Sequence, residues 1–143
     1  MLPAYDDGMF LPPGDYLVTW PEVVARFSGN QKRQWFCERL KVFLDRAKRC
    51  GFLKVYLFGS FISANDDPGD VDLLWVYRQN LDIDTLSKEC RELLVDYGGN
   101  KAREGWDLFC CSNDSVELFM DVWRVGRPPR GQRGVVVLDL SAL

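Results

Sequence analysis

Two short runs carry the residue types best suited to chemistry. Val55-Tyr-Leu-Phe-Gly-Ser-Phe61 is an apolar run ending in Gly59-Ser60, and Pro68-Gly-Asp-Val-Asp72 opens a second apolar run that continues to Tyr77. Side chains two apart on a strand point the same way, so Asp70 and Asp72 share a face with their Cα atoms roughly 6.5 Å apart. Carboxylates held that close repel each other, and a divalent cation relieves the repulsion. Mg²⁺ takes oxygen ligands and keeps water and phosphate oxygens in its shell, so two neighbouring acids and a triphosphate are matched ligands for it. Gly59 at a strand end lets the backbone turn tightly against a phosphate. If Ser60 and Phe61 begin a helical turn, their N–H groups and the Ser60 hydroxyl can hold anionic oxygens. Pro-Gly-Asp alone is ordinary turn chemistry; the conjunction of both runs makes the signal specific.

A two-metal phosphoryl site commonly has a third carboxylate. Asp107, in Trp106-Asp-Leu-Phe-Cys-Cys111, is the candidate. A lone acid in an apolar strand is costly to bury unless something pairs with it. Beside Asp70 and Asp72 it could ligate metal or take a proton from an acceptor hydroxyl. Arg124, Arg127, Arg130 and Arg133 recur every third residue through a Pro/Gly loop. Proline and glycine forbid a helix there. Arg127, Arg130 and Arg133 are candidate contacts to a triphosphate or a polynucleotide; a solvated loop would read the same way.

The 143-residue chain is 47% hydrophobic and 13% aromatic, with a formal charge of −3. This predicts one domain with a real core and gives no global sign of nucleic-acid binding. The chain has no histidine and five cysteines, none in C-x-x-C spacing. A Cys/His zinc site and Ser-His or Cys-His nucleophile pairs are therefore disfavoured. The scattered cysteines (37, 50, 90, 110 and 111) read as small buried thiols in a reducing compartment. The start of the chain lacks signal-peptide character, and no apolar run reaches the length of a membrane span. The expectation is a cytoplasmic protein with no membrane contact.

The elements that must position the site follow from periodicity. Residues 1–18 read as an arm packed through Phe10, Leu11, Tyr16 and Val18. Thr19-Trp-Pro-Glu22 is a capping box opening a short helix to about Phe27. Phe36, Leu40, Phe43, Leu44 and Ala47 mark one face of a second helix, stopping near Gly51. Strands are expected at Val55–Phe58, Val71–Tyr77, Trp106–Cys111 and Val135–Leu140. Helices are expected through Leu86, Cys90, Leu93, Leu94 and Tyr97, and after a cap at Asp114 with Glu117. Residues 124–134 read as an irregular loop. The fold class is α+β (mixed α/β): one domain over 1–143, with a small mixed sheet of four to five strands and helices packed on it.

The spacing resembles the nucleotidyltransferase superfamily, the DNA polymerase β-like group, on Gly59, Ser60, Asp70, Asp72 and Asp107. Within it, Leu11-Pro-Pro-Gly14, Thr19-Trp20, Arg26-Phe27, Asn30, Gly59-Ser-Phe61 and Pro68-Gly-Asp-Val-Asp72 resemble a set of short bacterial domains over almost the whole chain. The resemblance implies a minimal nucleotidyltransferase fold and Mg²⁺- or Mn²⁺-dependent transfer of a nucleoside monophosphate from an NTP, AMP slightly favoured, to a hydroxyl of a protein or RNA. It implies metal ligation by Asp70, Asp72 and Asp107, and nucleotide binding at Gly59, Ser60 and Phe61. By analogy it suggests a toxin–antitoxin or phage-defence context, with a protein partner from a neighbouring gene. The alternative is an inactive member of the same fold serving as an antitoxin or regulatory subunit. Small members often carry a basic residue after Gly-Ser, whereas this loop carries Asp66 and Asp67.

Overall fold

A computed structural model describes residues 2–6, 8–95, 106–124 and 133–143, with side chains at all of these except 83, 94–95, 106–108 and 122–124. Five strands form one mixed sheet: β1 (Asp15–Val18), β2 (Lys54–Phe58), β3 (Val71–Tyr77), β4 (Trp106–Ser112) and β5 (Val135–Asp139). Their spatial order is β1-β5-β2-β3-β4. β1 runs parallel to β5 and β4 parallel to β3, while β2 is antiparallel to both of its neighbours.

The expected arm contains β1. Asp15-Tyr-Leu-Val18 pairs with Val135–Leu138 from the far end of the sequence. The other strands fall where the apolar runs place them, within a residue or two.

Helix α1 (Trp20–Phe27) has the predicted capping box: the Thr19 hydroxyl accepts from the Glu22 N–H, and the Glu22 carboxylate accepts from the Thr19 N–H at 2.7 Å. Helix α2 (Gln31–Arg49) is capped by Asn30, whose side chain accepts from the Arg33 N–H. Its apolar stripe is buried as the spacing predicts. Helix α3 (Lys88–Val95) starts later than Leu86 suggests, and its expected end at Tyr97-Gly98-Gly99 lies outside the described residues. Helix α4 (Val116–Arg124) begins after a turn in which Asp114 accepts from the Ser112 hydroxyl, so Asp114 serves the turn before the helix.

The sheet is covered on both faces, as continuous apolar strands require. Val55, Leu57, Val71, Leu73, Trp75, Val136 and Leu138 pack with α1 and α2. The alternate residues Tyr56, Phe58, Leu74, Val76, Val135 and Val137 pack with Val116 and Met120 of α4. The first face holds the larger aromatics, with Phe43 stacked on Trp75 at 5.6 Å.

The cysteines depart from expectation. Cys50 and Cys90 form a disulfide, while Cys37, Cys110 and Cys111 are free. The pair meets because α3 lies along the end of α2, where Arg46 Nε also contacts a Glu89 carboxylate oxygen at 2.9 Å. Spacing along the chain carries no trace of that packing, and the reducing-compartment argument loses its basis for two of the five cysteines. No helix among the described residues is long and apolar enough to cross a membrane.

Candidate functional site

Strand register brings the two sequence runs together. Phe58, the last residue of β2, pairs with Asp72 in β3, and Asp72 pairs with Asp107 in β4. Val71 and Leu73 are buried among the α1/α2 core. By alternation Asp72 therefore lies on the α4 face with Leu74 and Val76, and Asp70 shares its parity. Both acids are half-buried. The register places Asp107 on that same face of the sheet; its side chain lies outside those described. Among the described residues no cluster of three metal-ligating side chains is assembled.

Gly59 shows why glycine must follow β2. Its φ is 81°, in the left-handed region that costs other residues strain. A Cβ there would meet the Asp72 carboxylate at well under 3.0 Å, closer than real Cβ atoms approach. The turn is thus shaped around the second acid of the Asp-x-Asp. Ser60–Ile62 then forms a single 3₁₀ turn. Phe61 contributes only its backbone to that edge. Its ring is fully buried against Phe27 and Phe36, at 5.9 and 6.1 Å between centroids.

The sequence reading does not single out Arg33, which the structure makes the hub of this loop. The residue is 5% exposed. Nη1 donates to the Phe61 carbonyl at 2.6 Å and to that of Phe27 at 3.2 Å. Nη2 donates to the carbonyls of Ser63 at 2.8 Å, Asn65 at 2.6 Å and Ser60 at 3.5 Å, and Nε also reaches Asn65. Burial lowers its pKa, opposed by the charges of Tyr5, Cys37 and Asp66. A signal was present in the sequence. Arg33 lies three residues before Phe36 and seven before Leu40, on the apolar stripe, where an arginine needs partners.

The acidic loop is turned toward α2. Asp67 pairs with Lys32 at 2.5 Å, and the Asp66 carbonyl accepts from Asn30 Nδ2 at 2.8 Å. The arm closes the loop from its other side, where the Met9 carbonyl accepts from the Ala64 N–H at 2.8 Å. Next to Met9, the Phe10 ring carries the Arg133 guanidinium at 3.9 Å. Of the loop arginines proposed as phosphate contacts, Arg133 therefore sits beside the arm; Arg127 and Arg130 lie outside the described residues. A trough of about 880 Å³ lies at the other end of β2 from Asp72, lined by Leu17, Leu53, Lys54, Tyr56, Asp139 and Leu140, and none of Gly59, Ser60, Asp70 or Asp72 lines it.

Comparison with known proteins places the chain in a family. Residues 3–139 match the model of the family of unknown function DUF6932, and the chain belongs to that family. No curated protein and no solved structure matches it.

Proposed function

We propose that the protein is a Mg²⁺-dependent nucleotidyltransferase that transfers a nucleoside monophosphate, with AMP slightly favoured, from an NTP to a hydroxyl of a protein or RNA. The observation that carries this reading is the row Phe58, Asp72, Asp107 across three strands, with the Asp72 carboxylate against Gly59. It supports the reading because the Gly59 turn and the acids belong to the same end of three neighbouring strands.

The donor set fits the metal. Asp70, Asp72 and Asp107 offer hard carboxylate oxygens, which suit Mg²⁺ or Mn²⁺. Bound there, the metal would neutralise charge on the triphosphate and lower the pKa of the attacking hydroxyl. The acceptor oxygen forms a bond to the α-phosphorus, and the bond from that phosphorus to the β-bridging oxygen breaks, releasing pyrophosphate. The acceptor proton passes to Asp107 or to water. Gly59 and Ser60 would hold the β- and γ-phosphates.

The test incubates each labelled NTP with Mg²⁺ or Mn²⁺, a cell lysate, and either native protein or the Asp70→Ala/Asp72→Ala variant. Label on a lysate protein or RNA only with the native acids is the expected result. Nucleotide binding without transfer would favour an inactive antitoxin-like or regulatory module. Neither binding nor transfer would end the nucleotide reading.

A further inference from the structure

We propose that Arg33 is the positioning residue of the phosphate edge: its buried guanidinium fixes residues 60–65 and so sets Ser60 for a triphosphate. The inference rests on the nucleotidyl-transfer reading.

Arg33 is unusual for a buried cation. Its side-chain hydrogen bonds all go to main-chain carbonyls, those of Phe27, Ser60, Phe61, Ser63 and Asn65. A buried guanidinium keeps its charge, and carbonyl dipoles stabilise that charge without cancelling it. Four of the acceptors lie in the segment that follows Gly59. A planar fork that binds several carbonyls at once fixes their relative positions, which a lysine ammonium with three donors at one point cannot do.

Besides Arg33, the segment is tied by the buried Phe61 and Ile62 side chains, by the Ser63 hydroxyl to the Ser60 carbonyl at 2.6 Å and by the Ala64 N–H to the Met9 carbonyl at 2.8 Å; Arg33 joins four of its carbonyls to one group. The segment's regular structure is the one turn Ser60–Ile62, closed by the Ser63 N–H to the Ser60 carbonyl at 3.2 Å. Pointing carbonyls inward at Arg33 also leaves a positive charge beneath a loop that has no lysine or arginine of its own between Phe61 and Gly69.

The experiment uses full-length protein with Arg33→Lys, which keeps the charge and loses the fork, and Lys32→Ala as a neighbouring control. Amide hydrogen exchange at residues 61–65 is measured without nucleotide, and the Kd for MgATP and MgGTP by calorimetry. For Arg33→Lys we expect exchange faster by about tenfold or more and affinity weaker by about tenfold, the effect of roughly one lost charged hydrogen bond. Lys32→Ala should change both by less than about threefold, as a surface pair does. Native affinity retained in Arg33→Lys overturns the inference and leaves the enzyme reading standing. Faster loop exchange in a protein whose native form binds neither nucleotide reduces Arg33 to a structural clamp and sinks the nucleotidyl-transfer reading. Where Arg33→Lys does not fold, the Arg33 side-chain N–H resonances of native protein decide. A shift on adding MgATP supports the inference, and bound nucleotide without a shift overturns it.

Discussion

The Asp72 carboxylate packs onto the α-carbon of Gly59 at the place where β2 and β3 meet. Turn and acid are therefore one unit: the glycine is required by the aspartate as well as by its own backbone angle.

Gly59→Ala should cost about 1–3 kcal/mol, from a left-handed φ and a collision with the carboxylate. Because the collision needs Asp72, the cost should shrink in an Asp72→Ala background, with a coupling of about 1 kcal/mol. Urea denaturation of the two single variants and the double variant measures it. Strict additivity would mean that the backbone angle alone demands glycine.

Asp72 and Asp107 are register neighbours, and Asp70 stands two residues before Asp72, at the entry to β3. Asp72→Asn is expected to abolish thermal stabilisation by Mg²⁺ with NTP and to cut transfer by about 100-fold or more, a few kcal/mol of lost charge stabilisation. Stabilisation by Mg²⁺ with NTP at the native level in that variant would remove Asp72 from the site.

Burial pushes the thiols of Cys37 and Cys111 up to about 11, from 9.0. Their folded-state pKa values are raised, so the stability they contribute is intact below pH 9 and is lost as pH rises from about 9 to about 11. The denaturant midpoint should fall across that window, and less steeply in a Cys37→Ala/Cys111→Ala variant. At neutral pH iodoacetamide should label half-buried Cys110 first. Prompt labelling of Cys37 in folded protein would contradict its burial.

The Cys50–Cys90 disulfide closes a loop with a sequence separation of 40, enclosing β2, the 3₁₀ turn and β3. The chain-entropy model puts the effect of such a link at roughly 4 kcal/mol. Dithiothreitol should lower the urea midpoint accordingly, and Cys50→Ala/Cys90→Ala should reproduce the loss and be insensitive to reductant. Equal stability with and without reductant in native protein would show that the link does not restrain the unfolded chain.

Local patterns made much of this architecture readable. The capping box at Thr19 and Glu22, the α2 stripe and the apolar runs of β2, β3 and β5 each depend on neighbours a few residues away, which the sequence displays. The α+β class follows from their order. What escaped depends on partners far along the chain. Asp15-Tyr-Leu-Val18 is too short and mixed to announce a strand, and becomes one only because β5 is there to pair with it. The disulfide requires α3 to lie on α2. At the site, spacing placed Gly59, Ser60, Asp70 and Asp72 at one strand junction and Asp107 on a strand, but the Asp72–Asp107 register is a fact of tertiary structure. Arg33 was visible as a charge on an apolar stripe, while its carbonyl partners, apart from Phe27, were not.

The parallel pairing of β1 with β5 has a further consequence. Val135-Val-Val-Leu138 is a β-branched, uncharged stretch whose outer edge is covered by four residues of the arm. Uncovered, a strand of that composition is a template for stacking against copies of itself. β1, short and beginning with a charged aspartate, makes a poor template in its place. The arm therefore also guards solubility, and a variant in which it is peeled away should form aggregates before it loses the rest of its fold.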